Sequence, residues 1–477
     1  MKTIVVLSLF MGIFLGPSLF AQSPVKNRVI ILTDIEADPD DTQSLVRLLL
    51  YANEIDIKGI VATTSCWQKE KIAPESIVKV LNAYGEVQPN LLLHDPQFPS
   101  ESALQKRVKK GLPLYGMLGV GDDKDSEGSD WIIQELEAED ERPLWISVWG
   151  GVNTLAQALH KIRATKSQKE AQSMIAKLRV YTISDQDDSG VWIRKNFPAL
   201  FYIVSPGDHY GSATWSAING YFKGINNESI SNSWLAQNIQ QAHGPLGAQY
   251  PDVAWGMEGD TPAFLSLIHN GLNDSEHPEW GAWGGRYELY KPDFAKQKKG
   301  GSGVPYEAET RAIWTNAKDK YSPYIASEYG RNIQRDTLKF NDNKATLWRW
   351  RDDFQNDFAA RMDWCRQSYA QANHAPLPML QHPSTLTLKA GEKFTLDASN
   401  STDPDGDNLS FLWFQYPEEG SYKDLIPNGA AENIHTYYIQ APEVEKAETV
   451  HYILKVTDKG RPAMSRYKRI IVTVLPN

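Results

Sequence analysis

Short apolar runs and helix-like apolar patterns alternate along the first part of the chain. Five runs rich in β-branched and aromatic residues predict buried strands: Val29–Thr33, Ile57–Thr63, Leu144–Trp149, Arg179–Ile183 and Phe201–Val204. Between them, apolar residues recur at helical spacing in four stretches: Glu75–Tyr84, Ser129–Glu137, Thr154–Lys161 and Glu170–Lys177. This alternation is typical of βαβ units and predicts an α/β domain with a mostly parallel sheet flanked by helices.

The pattern changes after the fifth predicted strand. Residues 219–324 are rich in Gly and Trp and predict long loops, and Ala345–Ala372 predicts one long amphipathic helix. Proline-containing residues 376–383 predict a linker. From 384 to 477, alternation with period two and short turns predicts an immunoglobulin-like all-β sandwich. The expected organisation is therefore an α/β domain over residues 27–375 followed by a β-sandwich.

Composition narrows the classes of function. The 477 residues carry a formal net charge of −10, which argues against a nucleic-acid or anionic-membrane partner. Residues 1–21 combine Lys2, an apolar core and a small final residue, so we expect a signal peptide and a secreted or periplasmic protein without a membrane anchor. Fifteen Trp fit a carbohydrate-binding protein or a Trp-rich core equally well. Cys66 and Cys365 could pair in an oxidising compartment.

The most informative segment joins the first predicted strand to the helix that follows it. Its five acids are Asp34, Glu36, Asp38, Asp40 and Asp41. In open α/β sheets, ligands bind at the carboxyl ends of the strands. Carboxylates at this density repel one another unless a cation or shared protons hold them together, and such hard oxygen ligands favour calcium or magnesium. Capping of the helix explains one of these acids but not all five.

A second acidic group follows the fourth predicted strand. The turn SDQDDSG supplies Asp185, Asp187 and Asp188, which could accept hydrogen bonds from sugar hydroxyls. Asp187 is our candidate for a general acid with a raised pKa, which an alcohol leaving group requires. The alternative is an acidic surface turn. Trp192 and Trp283 are candidate platforms for a sugar ring, since the C–H face of a sugar stacks on indole.

The first acidic segment resembles the calcium-binding motif of nucleoside hydrolases, which runs Asp-x-Asp-x-Gly-x-Asp-Asp after the first strand. The match begins at Asp34 and ends at Asp41, with Glu36 at the second acid and Asp38 at the glycine. The resemblance implies that Glu36 and Asp41 bind one calcium ion and that Glu36 also activates the attacking water. It further implies that Asp40 holds sugar hydroxyls, and we place Asp34 with it among the substrate-binding residues.

Two further motifs resemble the same family. SVWGGVNTLAQAL is similar to its Thr-Gly-Pro-Leu-Thr-Asn-x-Ala turn, which implies that the backbone carbonyl of Trp149 binds the metal. MEGDTPAFLSLI is similar to its late His-Asp motif, which implies that Asp260 is the last metal ligand. Gly259 stands where the family has the histidine that protonates the leaving base, and Glu258 is a candidate substrate-binding residue. The whole chain is similar to a secreted bacterial subfamily described as nucleoside-hydrolase-like and cellulose-binding, with a C-terminal β-sandwich.

The leading functional hypothesis is a secreted, calcium-dependent glycoside hydrolase acting on a carbohydrate by water attack at the anomeric carbon. Its candidate catalytic residues are Glu36, Asp40 and Asp187. The alternative is a protein that binds a cellulose-like glycan without cleaving it, since the family's histidine is missing. A ribonucleoside hydrolase is the third hypothesis. A homo-oligomer stays open as well, because the sequence does not fix the oligomeric state.

Overall fold

The computed structural model describes residues 25–322, 339–427 and 430–477. The expected signal peptide over residues 1–21 lies outside these ranges. The α/β domain is built on an eight-stranded sheet: β1 (Asn27–Thr33), β2 (Ile55–Ala62), β3 (Val108–Lys110), β4 (Leu144–Val148), β5 (Leu178–Ser184), β6 (Phe201–Ser205), β7 (Tyr287–Tyr290) and β8 (Ile313–Asn316). All five strands predicted from the apolar runs are present, which confirms an α/β domain with a mostly parallel sheet.

The helices pack on both faces of this sheet. They are α1 (Asp40–Leu49), α2 (Pro74–His94), α3 (Glu101–Gln105), α4 (Glu127–Glu137), α5 (Asn153–Thr165), α6 (Gln168–Ala176), α7 (Ser189–Asn196), α8 (Asn232–Leu235), α9 (Gly244–Gln249), α10 (Pro262–Leu265), α11 (Ala345–Trp348) and α12 (Arg351–Trp364). Strand β1 shows why the sheet needs both layers. Val29 and Ile31 belong to one buried apolar cluster, and Ile30 and Leu32 belong to the other. A strand buried on both faces reads as a continuous apolar run, as this one does.

The order of the strands fixes where a ligand can bind. The sheet runs β3-β2-β1-β4-β5-β6-β8-β7, and β1 pairs in parallel with both β2 and β4. Strands β2 and β3 therefore follow β1 on one side of it, whereas β4, β5 and β6 follow one another on the other side. The carboxyl ends of β1 and β4 form a topological switch point, which is the usual ligand site of an open α/β sheet.

One predicted element is corrected by the structure. Ala345–Ala372 was expected to form a single amphipathic helix, but it forms α11, α12 and a short 3₁₀ turn over Tyr369–Gln371. Helix α12 is buried on nearly all sides, including at Asp353 and Asp357. It lacks a solvent face because the C-terminal domain covers the side that the α/β domain leaves open.

The C-terminal strands form two facing sheets. They are β11 (Thr385–Lys389), β12 (Lys393–Asp397), β13 (Ser410–Gln415), β14 (Ala430–Glu432), β15 (Thr436–Gln440), β16 (Glu448–Thr457) and β17 (Ser465–Leu475). The larger sheet has the order β11-β17-β16-β13-β14, and β12 pairs with β15. Trp413 and Leu396, from opposite sheets, share one buried core. The expected immunoglobulin-like sandwich is therefore present. A short antiparallel pair, β9 (Asp319–Tyr321) and β10 (Phe340–Asp342), precedes α11 in the α/β domain.

A buried contact surface joins the sandwich to the α/β domain. Tyr416, Ile453 and Tyr467 of the sandwich belong to the same apolar cluster as helix α12. The carboxylate of Asp353 accepts hydrogen bonds from Lys455 and Tyr467, and Asp357 forms an ion pair with Arg466. In the described residues, no helix is long and apolar enough to cross a membrane. Both cysteines are buried and free, so the open question of their pairing is answered in the negative.

The same surface contains a carboxyl group with an unusual acidity. Glu419 of the sandwich lies 3.2 Å from Arg286, whose guanidinium also binds Asp319 at 2.7 Å. Burial raises the pKa of Glu419 to about 8, although the nearby guanidinium of Arg286 opposes the shift. Because the folded protein holds this proton and the unfolded chain releases it near 4.5, stability falls as the pH rises from about 4.5 to about 8.

Glu419→Gln should remove this loss of stability. We expect the variant and the wild type to have similar Tm values at about pH 5, where Glu419 is neutral in the folded protein. At about pH 9 the variant should melt a few degrees higher, since Gln never becomes charged at the interface. Thermal unfolding at the two pH values measures the difference. An equal change in Tm at both would contradict the assigned pKa.

Candidate functional site

The candidate site begins where β1 ends. The hydroxyl of Thr33 donates a hydrogen bond to Asp41, and the same oxygen accepts one from the backbone N–H of Ile35 at 3.1 Å. The backbone N–H of Asp40 bonds to Asp38 Oδ1 at 3.0 Å. These contacts fold the turn back over the end of β1, so its carboxylates converge before helix α1 begins.

Five carboxylates meet at this place. Single carboxylate oxygens of Asp38, Asp40 and Asp41 lie within 4.8 Å of one another. Asp34 and Asp41 are almost fully buried. Asp260 approaches from the segment before α10, and its buried Oδ2 has no hydrogen-bond partner in the described structure. Oxygens that share one calcium ion at 2.3–2.6 Å lie at most about 5 Å apart, so this spacing suits a cation.

The raised pKa values of these carboxyl groups also favour a bound cation. Burial raises the pKa of Asp34 to about 6, and the charge of Asp38 adds to the shift. Burial and the charges of neighbouring acids also raise the pKa values of Asp40, Asp41 and Asp260 well above the usual value. Within residues 25–322, 339–427 and 430–477, no lysine, arginine or histidine forms an ion pair with any of the five. The donor set of hard oxygens with no positive partner fits a calcium ion.

The switch-point turn after β4 closes the cluster from the other side. Gly150 lies against Asp34, and a Cβ at this position would come within 2.5 Å of Asp34 Oδ1. The carbonyl oxygen of Trp149 accepts a hydrogen bond from Gln186 Nε2, and one of its two lone pairs stays free. The side chain of Trp149 is fully buried. Its predicted role as a metal ligand, through the backbone carbonyl, stays a prediction.

The structure corrects the position of Glu36. Its backbone has a φ of 80°, and its side chain is 43% exposed. The carboxylate binds Lys71 Nζ at 2.7 Å and the hydroxyl of Ser76, and the hydrogen bond from Lys71 is the main cause of its lowered pKa. The Glu36 carboxylate therefore lies outside the cluster in this structure, and its roles as metal ligand and base stay predictions. Asp38, at the family's glycine position, places a carboxylate oxygen within 4.8 Å of those of Asp40 and Asp41.

The acidic turn after β5 has a structural role. Asp185 forms a two-pronged ion pair with Arg194 and also accepts a hydrogen bond from the N–H of Gly207. Asp188 accepts a hydrogen bond from the N–H of Met117 at 2.8 Å. The partners of Asp185 lie on α7 and on the loop after β6, so its carboxylate joins these two parts of the protein. The substrate-binding roles of Asp185 and Asp188 stay predictions.

Asp187 is the candidate general acid, and its pKa is raised to about 6 by burial. One carboxylate oxygen accepts hydrogen bonds from the N–H and hydroxyl of Ser189, and the other accepts one from the N–H of Asn153 at 3.1 Å. These bonds tie the first turns of α5 and α7 together. Asp187 is only 1% exposed, and its role as a general acid stays a prediction.

Three other candidates make contacts within the protein. Glu258 is fully buried and binds Arg47, Tyr250 and Thr261, and its role in substrate binding stays a prediction. Trp283 is fully buried at the domain interface, where its ring meets Phe354 and Tyr467, so it presents no exposed face to a sugar. Trp192 on α7 lies under the guanidinium of Arg163 and meets Phe197 edge-on, and its role as a platform stays a prediction.

Gly259 explains the missing histidine in physical terms. A Cβ at this position would lie 2.7 Å from Asp40 Oδ2 and 3.0 Å from Cζ3 of Trp215. The contact with Oδ2 is closer than van der Waals radii allow and the contact with the indole is tight, so a larger residue here, a histidine included, would displace Asp40 or the indole.

Trp215 is the first member of an aromatic wall that sequence reasoning missed. Its Nε1 donates a hydrogen bond to Ser184 Oγ at 3.0 Å, which fixes the ring at the end of β5. Tyr210 packs on it at 5.5 Å between ring centroids, and Trp67 packs edge-on against Tyr210 at 6.3 Å. We call Trp67, Tyr210 and Trp215 the aromatic wall. The lone signal in the sequence is Trp67 directly after the polar end of β2.

Fold and site together define a nucleoside-hydrolase-like domain with an acidic, metal-type pocket. The chain belongs to a family of cellulose-binding, nucleoside-hydrolase-like proteins: the family model for the nucleoside hydrolase-like domain of the cellulose-binding protein Sde182 matches residues 28–287. The model for the C-terminal domain of the cellulose-binding protein Sde0182 matches residues 393–474. The predicted domain limits of 27–375 and 384–477 stay predictions.

Solved structures include a close match over the whole chain. A nucleoside hydrolase-related hypothetical protein from Saccharophagus degradans, described as associated with carbohydrate metabolism, is 35% identical, with a TM-score of 0.77 over 94% of this chain and 100% of that one. The effector proteins XOO4466 (9% identity, TM-score 0.29, 68% and 92% of the two chains) and XopQ (11%, 0.27, 61% and 90%) match too weakly to carry an argument. No curated protein matches the chain significantly.

Calcium should stabilise the folded protein through the cluster. We expect added Ca²⁺ to raise the Tm by several degrees, since a ligand at one hundred times its Kd contributes about 2.7 kcal/mol. Asp41→Asn should abolish this rise because it removes a buried ligand. Glu36→Gln is the matched control and should keep the full rise. Calorimetric melting with Ca²⁺ and with chelator tests both variants, and loss of the rise in Glu36→Gln alone would restore the family's usual assignment.

Gly259→Ala should damage the pocket without touching the acids themselves. The added Cβ displaces Asp40 or Trp215, so we expect a loss of about 1–3 kcal/mol in the free energy of unfolding and weaker calcium binding. Gly301→Ala is the control, because a Cβ at Gly301 meets nothing within 4 Å. Chemical denaturation and calcium titration measure the two effects. A Gly259→Ala variant that matches Gly301→Ala in both would contradict the close packing of Asp40.

Proposed function

We propose that the protein is a secreted carbohydrate-binding protein that binds a sugar through one calcium ion in the acidic pocket. The observation that carries this proposal is the cluster of Asp34, Asp38, Asp40, Asp41 and Asp260, three of which are buried and none of which has a positively charged partner in the described ranges. The family and its structural relative are described by cellulose binding and carbohydrate metabolism, which supports a carbohydrate as the ligand class. The expected signal peptide supports an extracellular location.

The residues divide into two groups around such an ion. Asp38, Asp41 and Asp260 would hold it, together with the carbonyl of Trp149 on the β4 side. Asp34 and Asp40 would accept hydrogen bonds from sugar hydroxyls. A bound calcium ion would chelate vicinal hydroxyls and lower the pKa of a coordinated water. This division uses every carboxylate of the cluster and leaves Glu36 outside it.

Hydrolysis of the bound glycoside is the second candidate function. It is favoured by Asp40, a half-buried carboxylate beside Gly259 that could take the proton of a water attacking the anomeric carbon. Its weak point is the proton donor for the leaving group, since Gly259 stands where the family has its histidine and Asp187 is buried, with its carboxylate bonded to Ser189 and Asn153. We therefore place binding first. A ribonucleoside hydrolase ranks third, because an anionic base would leave without protonation.

One comparison separates these functions. Wild-type protein should be retained on a cellulose-like glycan in Ca²⁺, and chelator or Asp41→Asn should reduce that retention by tenfold or more because the sugar loses its metal contact. The same samples are assayed for sugar or nucleobase release from oligosaccharides and nucleosides. Asp40→Asn is the matched control, since it should keep calcium binding but remove the candidate base.

The outcomes are distinct. Retention without product identifies the binding protein. Release of sugar by the wild type that is lost in Asp40→Asn would support the glycoside hydrolase, and release of free base from a nucleoside would support the ribonucleoside hydrolase. Retention that is unchanged by chelator and by Asp41→Asn would contradict the metal-dependent site.

A further inference from the structure

Trp67 sits on a turn that is tied directly to the acidic pocket. The turn closes through two backbone hydrogen bonds between Ser65 and Gln68, at 3.1 and 3.2 Å. Gln68 Nε2 then donates to the carbonyl oxygens of Asp34 and Ile35, and the N–H of Cys66 donates to the carbonyl of Gln186 at 2.8 Å. The turn is thus fastened both to the segment after β1 and to the turn after β5.

The indole of Trp67 is exposed yet held in one orientation. It is 56% exposed, while its Nε1 donates a hydrogen bond to the hydroxyl of Tyr210 at 3.1 Å. The ring planes of Trp67 and Tyr210 meet at 67°, so Tyr210 touches the indole edge-on and covers neither of its faces fully. An exposed aromatic face with its orientation fixed in advance costs little entropy when a ligand stacks on it.

The wall leads from this exposed face down to the acids. Tyr210 packs against Trp215, and Trp215 reaches the position of Gly259 beside Asp40. A ligand bound at the carboxylates would therefore have one side bordered by aromatic rings from the pocket to the rim. Other exposed aromatics differ: Trp255 is 99% exposed, and its indole has neither a hydrogen bond nor a ring partner in the described structure.

We propose that Trp67, oriented by Tyr210, is a specificity-determining platform for the second sugar unit of an oligosaccharide whose first unit occupies the acidic pocket. This inference rests on the proposed carbohydrate function and adds that the protein prefers ligands of two or more sugar units. The apolar C–H face of a sugar ring stacks on the exposed indole, and its hydroxyls remain in water. The pocket selects hydroxyl geometry, and the platform selects ligands with more than one ring.

The test compares glucose, cellobiose and longer cello-oligosaccharides by calorimetric titration in Ca²⁺. Wild-type protein should bind cellobiose and longer chains about tenfold more tightly than glucose, and Trp67→Ala should lose that gain while binding glucose unchanged. Trp67→Phe should recover part of the gain, because it keeps an aromatic face without the Nε1 anchor. Calcium binding is measured in parallel and should not change in either variant.

Tyr438→Ala provides the matched control. Tyr438 is a 76% exposed aromatic residue on β15 of the sandwich, so its loss should leave all affinities unchanged. If Trp67→Ala binds every chain length as the wild type does, the platform is wrong while the calcium-dependent pocket still stands. Loss of the length gain in Tyr438→Ala would move the second subsite to the sandwich and overturn the inference.

Two further results are decisive. If wild-type protein binds calcium but no saccharide, the carbohydrate function itself fails, and the platform fails with it. If Trp67→Ala weakens binding of inosine but not of oligosaccharides, the ring stacks on a nucleobase, and the inference is contradicted as well.

Discussion

The mutual repulsion of five carboxylates at the end of β1 is the constraint on which the rest of the site depends. Asp34, Asp41 and Asp260 are buried, and burial together with the charges of neighbouring acids raises their pKa values. Burial of unpaired charge is costly, so a fold keeps such a group when a cation or shared protons compensate it. The turn geometry follows from this constraint: Thr33 anchors Asp41, and Gly150 leaves room for Asp34.

The architecture supplies a stable frame for this strained cluster. The site lies at the switch point between β1 and β4, and ion pairs such as Arg47–Glu258 and Arg194–Asp185 fix the elements around it. Helix α12 connects these elements to the sandwich through two buried carboxylates, because Asp353 pairs with Lys455 and Asp357 pairs with Arg466. The sandwich therefore has a core of its own and also contributes side chains to the apolar cluster around α12. Its presence explains why α12 has no solvent face.

Much of the fold and the location of the site were predictable from the sequence. The five parallel strands and the acidic turn are local patterns, and a strand followed by clustered acids marks a sheet edge without further information. The failures arose where a side chain's partner is distant in sequence. Glu36 is turned outward by Lys71, Glu258 is neutralised by Arg47, and Trp283 is covered by the sandwich. The aromatic wall was missed for the same reason, since Trp67 follows β2 whereas Tyr210 and Trp215 follow β6.

The central claim is that the five acids hold one calcium ion. A crystal structure of the protein grown with Ca²⁺, with anomalous difference density recorded, tests it most directly. The account predicts one peak bonded at about 2.3–2.6 Å to oxygens of Asp38, Asp41 and Asp260, with Glu36 still paired to Lys71. A pocket that contains only water, or an ion bound by Glu36 in place of Asp38, would contradict it.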